Sequence, residues 1–245
     1  MRVYGASEIG LVRKENQDAF IIGEGDNFAY AVVCDGMGGA NGGAVASDIA
    51  ADIVAKRITV AEKSSDLKYV LLSAIDAANI AVYDKSREVD SLEGMGTTIV
   101  AAVVRDGTLY LAHAGDSRAY LFNGTELEQI TRDHSVVQEL LESGELTPDQ
   151  ALTYPNKNLI TRALGVAAEL EADYTEYYLP KDYSILLCTD GVTNLVTGSE
   201  LAGFMEKPPD EAVKSIIALA VERGGTDNAT AVVISGSSME GQING

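Results

Sequence analysis

The chain has few basic residues and no long apolar segment, and each shortage excludes a class of protein. Its 245 residues include 18 Lys and Arg against 37 Asp and Glu, which gives a formal charge of −19. Phosphate backbones and anionic lipid headgroups repel such a chain, so nucleic acid and membranes are poor partners. No apolar run approaches the ~20 residues of a membrane helix, and no apolar stretch typical of a secretion signal follows Met1. We therefore expect a cytoplasmic protein.

Cysteine, histidine and proline are also sparse. Cys34 and Cys188 both lie inside apolar runs, which favours reduced core thiols over a disulfide. The two histidines, His113 and His134, occur without a Cys-x-x-Cys motif, so a zinc site built from nitrogen and sulfur ligands is not expected. Five prolines beside 24 glycines indicate many tight turns rather than a proline-rich linker protein.

The hydrophobic pattern predicts strands that arrive in hairpins and helices that arrive in pairs. Helical spacing of apolar residues predicts helices over Ala44–Ile58, with Val45, Ile49, Ile53 and Val54 on the apolar face, and over Ser65–Arg87. Later strands are joined by Asp-Gly and Asn-Gly turns, which are typical of hairpins. Hairpins favour antiparallel sheet. The expected fold is therefore α+β: a central antiparallel β-sandwich flanked by pairs of α-helices, in four αββα layers.

The expected organisation is a single catalytic domain over residues 1–245. A small helical insert, which we call the flap, is expected at about residues 135–165, and a flexible tail at 237–245. Residues 154–164 have no pattern that assigns them to a helix or a strand. The flap contains charged residues that either recognise charged groups of the substrate or form an ordinary solvated face. They are Glu139, Glu142, Glu145, Asp149, Lys157 and Arg162.

Aspartates fall repeatedly at the ends of predicted strands. Asp and Gly are common turn residues, and this explains any one of these positions but not five in different sequence contexts. If the strand ends converge, the carboxylates would repel one another unless cations bind them. Carboxylate, carbonyl and water oxygens suit Mg²⁺ and Mn²⁺. The five positions are Asp18, Asp35, Asp116, Asp190 and Asp227.

A set of short motifs in a fixed order resembles the metal-dependent serine/threonine protein phosphatases of type 2C, in their stand-alone bacterial form. Together the motifs span nearly the whole chain, from Arg13 to the last strand. They are Arg13-x-x-Asn16-Gln17-Asp18, Asp35-Gly36-Met37-Gly38-Gly39, Gly94-Met95-Gly96-Thr97-Thr98, Gly115-Asp116-Ser117-Arg118, Asp133-His134-Ser135, Thr189-Asp190-Gly191 and Gly225-Thr226-Asp227-Asn228.

The resemblance implies a cluster of Mn²⁺ or Mg²⁺ ions. It implies that Asp35 bridges two ions, that Asp190 and Asp227 complete one of them, and that the Gly36 carbonyl serves the other. Asp116, together with Asp190, matches a third metal site of the bacterial members.

The resemblance also implies roles around the ions. Arg13, Asp18 and Thr97 would be the catalytic residues. Arg13 would grip the substrate phosphate, Asp18 would hold metal-bound water, and Thr97 would lie near the metal cleft. Two positions depart from many relatives. Met37 stands where eukaryotic members have a histidine proposed as general acid, so the leaving-group proton must come from elsewhere. Gln17 replaces a frequent glutamate.

The expected activity is hydrolysis of phosphoserine and phosphothreonine in proteins by in-line attack of a water that bridges the two ions. The expected partners, by resemblance, are a bacterial serine/threonine kinase and its substrates, and the protein is expected to act as a monomer. Two alternatives stay open. One is a regulator phosphatase of a single signalling phosphoprotein, which the lack of an N-terminal sensor region disfavours. The other is a catalytically inactive metal-binding adaptor, which the full set of aspartates disfavours.

Overall fold

Strands and helices alternate in blocks along the chain. The computed structural model describes residues 1–39, 42–62, 66–152, 154–155 and 158–237. The strands are β1 (Arg2–Glu8), β2 (Asp18–Glu24), β3 (Phe28–Met37), β4 (Gly96–Thr97), β5 (Ile99–Arg105), β6 (Thr108–Ala114), β7 (Arg118–Phe122), β8 (Leu127–Gln129), β9 (Asp173–Tyr178), β10 (Asp182–Cys188) and β11 (Ala229–Ser237). The helices are α1 (Gly42–Val60), α2 (Leu67–Glu88), α3 (Val136–Glu142), α4 (Pro148–Leu152), α5 (Asp190–Thr193), α6 (Gly198–Met205) and α7 (Pro209–Glu222).

The strands form two antiparallel sheets. One sheet has the order β1-β11-β10-β7-β8, and the other has the order β2-β3-β5-β6-β9, with the short β4 paired to β3. The predicted hairpins are present. Between β5 and β6, Asp106 and Gly107 both have positive φ, 50° and 75°, as the type I′ turn of a tight hairpin requires.

Three apolar layers hold the sheets and helices together, and β3 shows how its sequence serves two of them. Ala31 and Val33 belong to the layer between the two sheets, whereas Val32 and Cys34 pack under α1 and α2. Successive side chains of a strand point to opposite faces, so a strand buried on both sides is apolar throughout. A third layer joins the other sheet to α5, α6 and α7. The predicted α+β sandwich with flanking helix pairs is confirmed.

Helix α1 packs on the sheet through a face that shares only Val54 with the predicted one. The residues of α1 without solvent exposure include Ala46, Ala50, Val54 and Ile58, whereas the larger Val45, Ile49 and Ile53 are only partly buried. The small alanine side chains let the helix lie close to the sheet, so size rather than hydrophobicity alone decided which face turned inward.

Several boundaries differ from the sequence prediction. Strand β3 runs on through Asp35 to Met37, and the sequence pattern had not indicated β1 or α5. The predicted start of α2 at Ser65 lies outside the described residues, as does the predicted tail from residue 238 onward. Within the described part of the chain, no helix combines the length and apolar character that crossing a membrane requires.

Candidate active site

Five aspartates meet at one end of the sandwich, and we call Asp18, Asp35, Asp116, Asp190 and Asp227 the aspartate cluster. In antiparallel sheets the end of one strand lies beside the start of its neighbour. Asp18 starts β2 and pairs in register with Asp35 near the end of β3. The charges of all the other four raise the pKa of Asp35, which places Asp35 in the middle of the group.

Burial and mutual repulsion raise the pKa values of four of the aspartates, Asp18, Asp35, Asp116 and Asp190. Burial, followed by the charges of Asp18 and Asp190, holds the pKa of Asp35 well above its usual range. Burial, with the charges of Asp190 and Asp133, raises the pKa of Asp116 to about 7. The carboxylates therefore pay a large electrostatic cost for lying together, and a positive charge among them would remove it.

Asp18 is held through one oxygen and leaves the other without a partner. Its Oδ2 accepts hydrogen bonds from Thr230 Oγ1 at 2.6 Å and from Thr189 Oγ1 at 2.8 Å. Its Oδ1 is buried and has no hydrogen-bond partner among the described residues. Burial raises the pKa of Asp18 to about 7, although the two hydrogen bonds act to lower it. The charges of Asp190 and Asp227 add to the rise.

The backbone of Asp35 is fixed by two threonines of the Gly-Thr-Thr motif. Asp35 N–H donates to Thr98 Oγ1, and Thr97 Oγ1 donates to Asp35 O, each at 2.9 Å. Thr97 is fully buried and also donates to Thr98 O at 2.9 Å. The structure therefore places Thr97 behind the cluster, against the main chain, and not in the cleft where a catalytic residue would contact a substrate.

Two glycines of the motifs permit close approach of main chain to main chain. A Cβ on Gly36 would lie 2.1 Å from Gly43 O and 2.5 Å from Gln17 O. A Cβ on Gly191, next to Asp190, would lie 1.9 Å from Asn228 O. Any other residue at either position would push apart the loops that carry the aspartates.

Arg13 stands beside the cluster on the loop of residues 9–17. Its Nη2 donates to Asp227 Oδ2 at 2.7 Å, and its side chain is 51% exposed. Asn228 fixes this loop: its Oδ1 accepts from Gln17 N–H at 2.9 Å, and its Nδ2 donates to two carbonyls of the loop at 2.9 and 3.0 Å. The adjoining cleft has a volume of about 720 Å³ and is lined by Arg13, Lys14, Glu15, Gln17, Gly38, Gly39 and Asn228.

Arg118 is a second cation near the cluster. Its guanidinium forms hydrogen bonds of 2.6 to 3.0 Å with both oxygens of Asp133, which is 8% exposed. The charge of Arg118 lowers the pKa of both Asp116 and Asp190, although burial outweighs it. Because Asp133 already neutralises Arg118, this arginine offsets only part of the charge of the cluster.

The base of the flap rests on a pair of stacked histidines. The rings of His113 and His134 are 4.8 Å apart and inclined by 11°. Gly115 N–H donates to His134 Nδ1 at 3.2 Å, so the other nitrogen carries the proton and faces Asp173 Oδ2 at 3.2 Å. Arg162 Nη1 donates to Asp173 Oδ1 at 2.8 Å.

The same group could offer three metal-ligand atoms, from His113, His134 and Asp173, within 4.8 Å of one another. However, Arg162 already neutralises Asp173, and nearly parallel stacked rings do not aim their in-plane nitrogen lone pairs at a common point. The group is better suited to fixing the flap than to binding an ion. Of the charged flap residues, Glu142 pairs with Arg132, and Lys157 lies outside the described residues.

The aspartate cluster, by contrast, fits a hard divalent cation. Its donors are carboxylate oxygens, which Mg²⁺ and Mn²⁺ prefer. Asp18 Oδ1, which has no hydrogen-bond partner in the described part of the chain, can bind a positive charge. The two nearby arginines, Arg13 and Arg118, are bonded to Asp227 and Asp133. Cations between the carboxylates would therefore supply the charge that the described side chains lack.

The sequence picked out the five aspartates, Gly36 and Arg13, and the structure brings all of them to one end of the sandwich. Asn228 belongs to the last motif, but the sequence indicated no role for it. Its amide joins two loops of the site. Ser7 and Thr230 were missed, because a single hydroxyl residue in a strand gives no sequence signal. Thr230 reaches Asp18, and Ser7 reaches Thr230, only because distant strands pair.

Comparison with known proteins gives one consistent result. Residues 12–214 match the family model "Protein phosphatase 2C". The chain is similar to the serine/threonine phosphatase stp of Listeria welshimeri, with 36% identity over 239 residues and 94% of each chain covered. It is also similar to the crystal structure of the serine/threonine phosphatase Stp1 from Staphylococcus aureus, with a TM-score of 0.88, 32% identity, and 98% and 95% of the two chains covered.

A further solved structure is the catalytic domain of the serine threonine protein phosphatase PstP in complex with two manganese ions. Its TM-score is 0.82 at 35% identity, and the match covers 95% of this chain and 96% of the other. The family model spans most of the chain, and the relatives match nearly end to end. The chain belongs to the protein phosphatase 2C family.

Proposed function

We propose that this protein hydrolyses phosphoserine and phosphothreonine esters in other proteins, with Mn²⁺ or Mg²⁺ held by the aspartate cluster. The observation that carries the proposal is the convergence of five carboxylates around Asp35, with the buried Asp18 Oδ1 lacking a hydrogen-bond partner among the described residues. Membership of the protein phosphatase 2C family supports the reaction. The two manganese ions of the PstP complex support the choice of cation.

We assign the ligands as follows. Asp35 would serve two ions, the Gly36 carbonyl would serve one of them, and Asp190 and Asp227 would serve the other. Asp116, together with Asp190, would hold a third ion, and Asp18 would hold metal-bound water through Oδ1. When bound, the cations neutralise phosphoryl charge and lower the pKa of a coordinated water.

Arg13 binds the phosphoryl group of the substrate in this proposal. A guanidinium carries five N–H donors in a planar fork, and the bond to Asp227 Oδ2 uses Nη2. The remaining donors can form the paired hydrogen bonds that arginine makes with phosphate. The 51% exposure of the side chain leaves it accessible to a phosphorylated protein.

Met37 contributes packing rather than proton transfer. Its Cε would lie 2.8 Å from a Cβ at Gly96, so the thioether covers the short strand β4. A thioether cannot donate a proton, so the leaving serine or threonine alkoxide takes its proton from water or from another group of the cleft. Thr97 holds Asp35 in place through its carbonyl oxygen.

The wider setting is part of the same proposal. We place the protein in the cytoplasm as a single-domain monomer, acting on a serine/threonine kinase and on the proteins that the kinase phosphorylates. The two buried, unpaired cysteines support a reducing compartment, and the charge of −19 disfavours nucleic acid and anionic membranes as partners.

The test is hydrolysis of a phosphothreonine peptide by the full chain with Mn²⁺, with Mg²⁺ and with EDTA. We expect turnover that needs metal, and its loss in Asp35→Asn and Asp190→Asn. Asp26→Asn, in the exposed turn between β2 and β3, removes the same charge outside the cluster and should match the parent. Arg13→Ala should lower kcat/KM, and Arg13→Lys should restore part of it.

Two results would contradict the proposal. Full activity in Asp35→Asn would remove the metal assignment. A folded parent protein that binds Mn²⁺ but hydrolyses no phosphopeptide or p-nitrophenyl phosphate would favour an inactive adaptor instead.

A further inference from the structure

A closed ring of hydrogen bonds starts and ends on Asp18. Asp18 N–H donates to Asn16 Oδ1 at 3.1 Å, and Asn16 Nδ2 donates to Ser7 Oγ at 2.8 Å. Ser7 Oγ lies 2.7 Å from Thr230 Oγ1, and Thr230 Oγ1 donates to Asp18 Oδ2 at 2.6 Å. We call Ser7, Asn16 and Thr230 the Asp18 ring.

The donors and acceptors allow one direction around the ring. An ionised carboxylate only accepts, so Thr230 gives its single hydroxyl proton to Asp18. Thr230 Oγ1 must then accept from Ser7, and Ser7 Oγ can in turn accept from the Asn16 amide. The Asn16 side chain therefore has its nitrogen toward Ser7 and its oxygen toward Asp18 N–H. Each hydroxyl donates once and accepts once.

Thr189 completes the support of the same carboxylate oxygen. Its Oγ1 accepts from Thr230 N–H at 3.0 Å and donates to Asp18 Oδ2 at 2.8 Å. Thr189 and Thr230 are fully buried, so water does not compete for these bonds. Two hydroxyl donors thus hold Oδ2, while Oδ1 has no partner among the described residues.

The ring joins the two sheets of the sandwich at the site. Ser7 of β1 and Thr230 of β11 are paired in register in one sheet, whereas Asp18 starts β2 in the other. The side-chain torsion of Asp18 in β2 is therefore fixed by Thr230 of β11, which lies 212 residues away along the chain.

We infer that the Asp18 ring, together with Thr189, positions the Asp18 carboxylate so that Oδ1 faces the cations of the aspartate cluster. Ser7 and Thr230 are thus positioning residues, which act on the metal site through Asp18. The inference rests on the proposed function. Hydrogen-bonded partners of metal ligands orient the ligand, and their loss typically lowers metal affinity about 10–100-fold.

The test measures Mn²⁺ binding to the full, EDTA-treated and dialysed chain by calorimetry without substrate. Thr230→Val keeps the side-chain shape and removes the hydroxyl, so we expect the Mn²⁺ Kd to rise about 10–100-fold. Thr230→Ser restores the hydroxyl and should bring the Kd back toward the parent value. In p-nitrophenyl phosphate hydrolysis, the Mn²⁺ concentration for half-maximal rate should rise more than the rate at saturating Mn²⁺ falls.

Ser7 provides a second variant at a half-buried position, with a matched control. Ser7→Ala should raise the Mn²⁺ Kd in the same direction. Ser86→Ala removes a buried hydroxyl on α2 that bonds only to Tyr83 O of its own helix in the described contacts, and its Kd should equal that of the parent.

The outcomes separate the two proposals. Folded Thr230→Val or Ser7→Ala protein, checked by circular dichroism, that binds Mn²⁺ with the parent Kd overturns the positioning role and leaves the phosphatase proposal standing. A parent chain that binds no Mn²⁺ overturns the proposed metal centre, and the positioning role with it.

Discussion

Removing one carboxylate charge from the aspartate cluster should stabilise the ion-free protein. Asp116 is the clearest case, because burial and the charges of Asp190 and Asp133 raise its pKa from 3.8 to about 7. Asp116→Asn keeps the shape of the side chain and removes the charge. Most substitutions of a partly buried residue destabilise a protein, so a gain in stability would report the electrostatic cost of burying this charge beside Asp190 and Asp133.

The magnitude follows from the size of the pKa shift. A rise of about 3 units corresponds to about 4 kcal/mol at about 1.4 kcal/mol per unit, which we take as an upper bound. The folded protein holds the Asp116 proton more tightly than the unfolded chain. Asp116 therefore costs the folded protein no stability below a pH near 4, where it is protonated in both states. The cost grows as the pH rises and reaches its full value above about 7.

Urea unfolding in EDTA at pH 5 and at pH 8 measures this effect. At pH 8 we expect Asp116→Asn to exceed the parent in unfolding free energy by up to about 4 kcal/mol, with a smaller excess at pH 5. With saturating Mn²⁺ the order should reverse, because the parent binds the ions more tightly. Asp26→Asn, which is exposed, should follow the parent. If the unfolding free energy of the parent equals or exceeds that of Asp116→Asn at pH 8 in EDTA, the reasoning that Asp116 carries an electrostatic cost in the folded protein is wrong.

Three other predictions follow from contacts behind the site. Gly191→Ala should fail to fold or lose Mn²⁺ binding, seen by circular dichroism and calorimetry, because its Cβ would lie 1.9 Å from Asn228 O. Arg118→Met should lower the urea-unfolding free energy by about 3–5 kcal/mol, because it leaves the buried Asp133 without its cation; a loss below 1 kcal/mol would contradict this. Asn228→Ala removes three hydrogen bonds to the 9–17 loop. It should lower kcat/KM, with Tm reduced by only a few degrees. An unchanged kcat/KM would show that the position of the loop does not depend on Asn228.

The sequence determined the kinds of element and the chemistry of the site. Alternating and helical apolar periods predicted the strands, the helix pairs and the α+β class, because those periods reflect which side chains must be buried. Asp-Gly placed the β5–β6 hairpin, since few other dipeptides accept positive φ at both turn positions. Acidic residues at five strand ends, without accompanying histidine or cysteine motifs, predicted an oxygen-ligand cation site.

Local patterns were insufficient where packing between distant segments decides the outcome. Strand β1 has an unremarkable sequence and forms because β11 is available to pair with it. Helix α1 buries Ala46 and Ala50 fully but Ile49 and Ile53 only partly, because the close approach of helix and sheet leaves little room. The placement of Thr97 behind Asp35, rather than in the cleft, depends on the pairing of β3 with β4.

The sequence by itself determined which residues could bind cations and phosphate, since carboxylate and guanidinium chemistry is a property of the side chain alone. Only the tertiary structure decided that Asp18 has one oxygen without a partner among the described residues. That result needs the hydroxyls of Thr189, which follows β10, and of Thr230 in β11 to meet a carboxylate in the other sheet. Hydrogen bonds act over about 3 Å, and residues so far apart in the chain reach that distance only when the sandwich has closed.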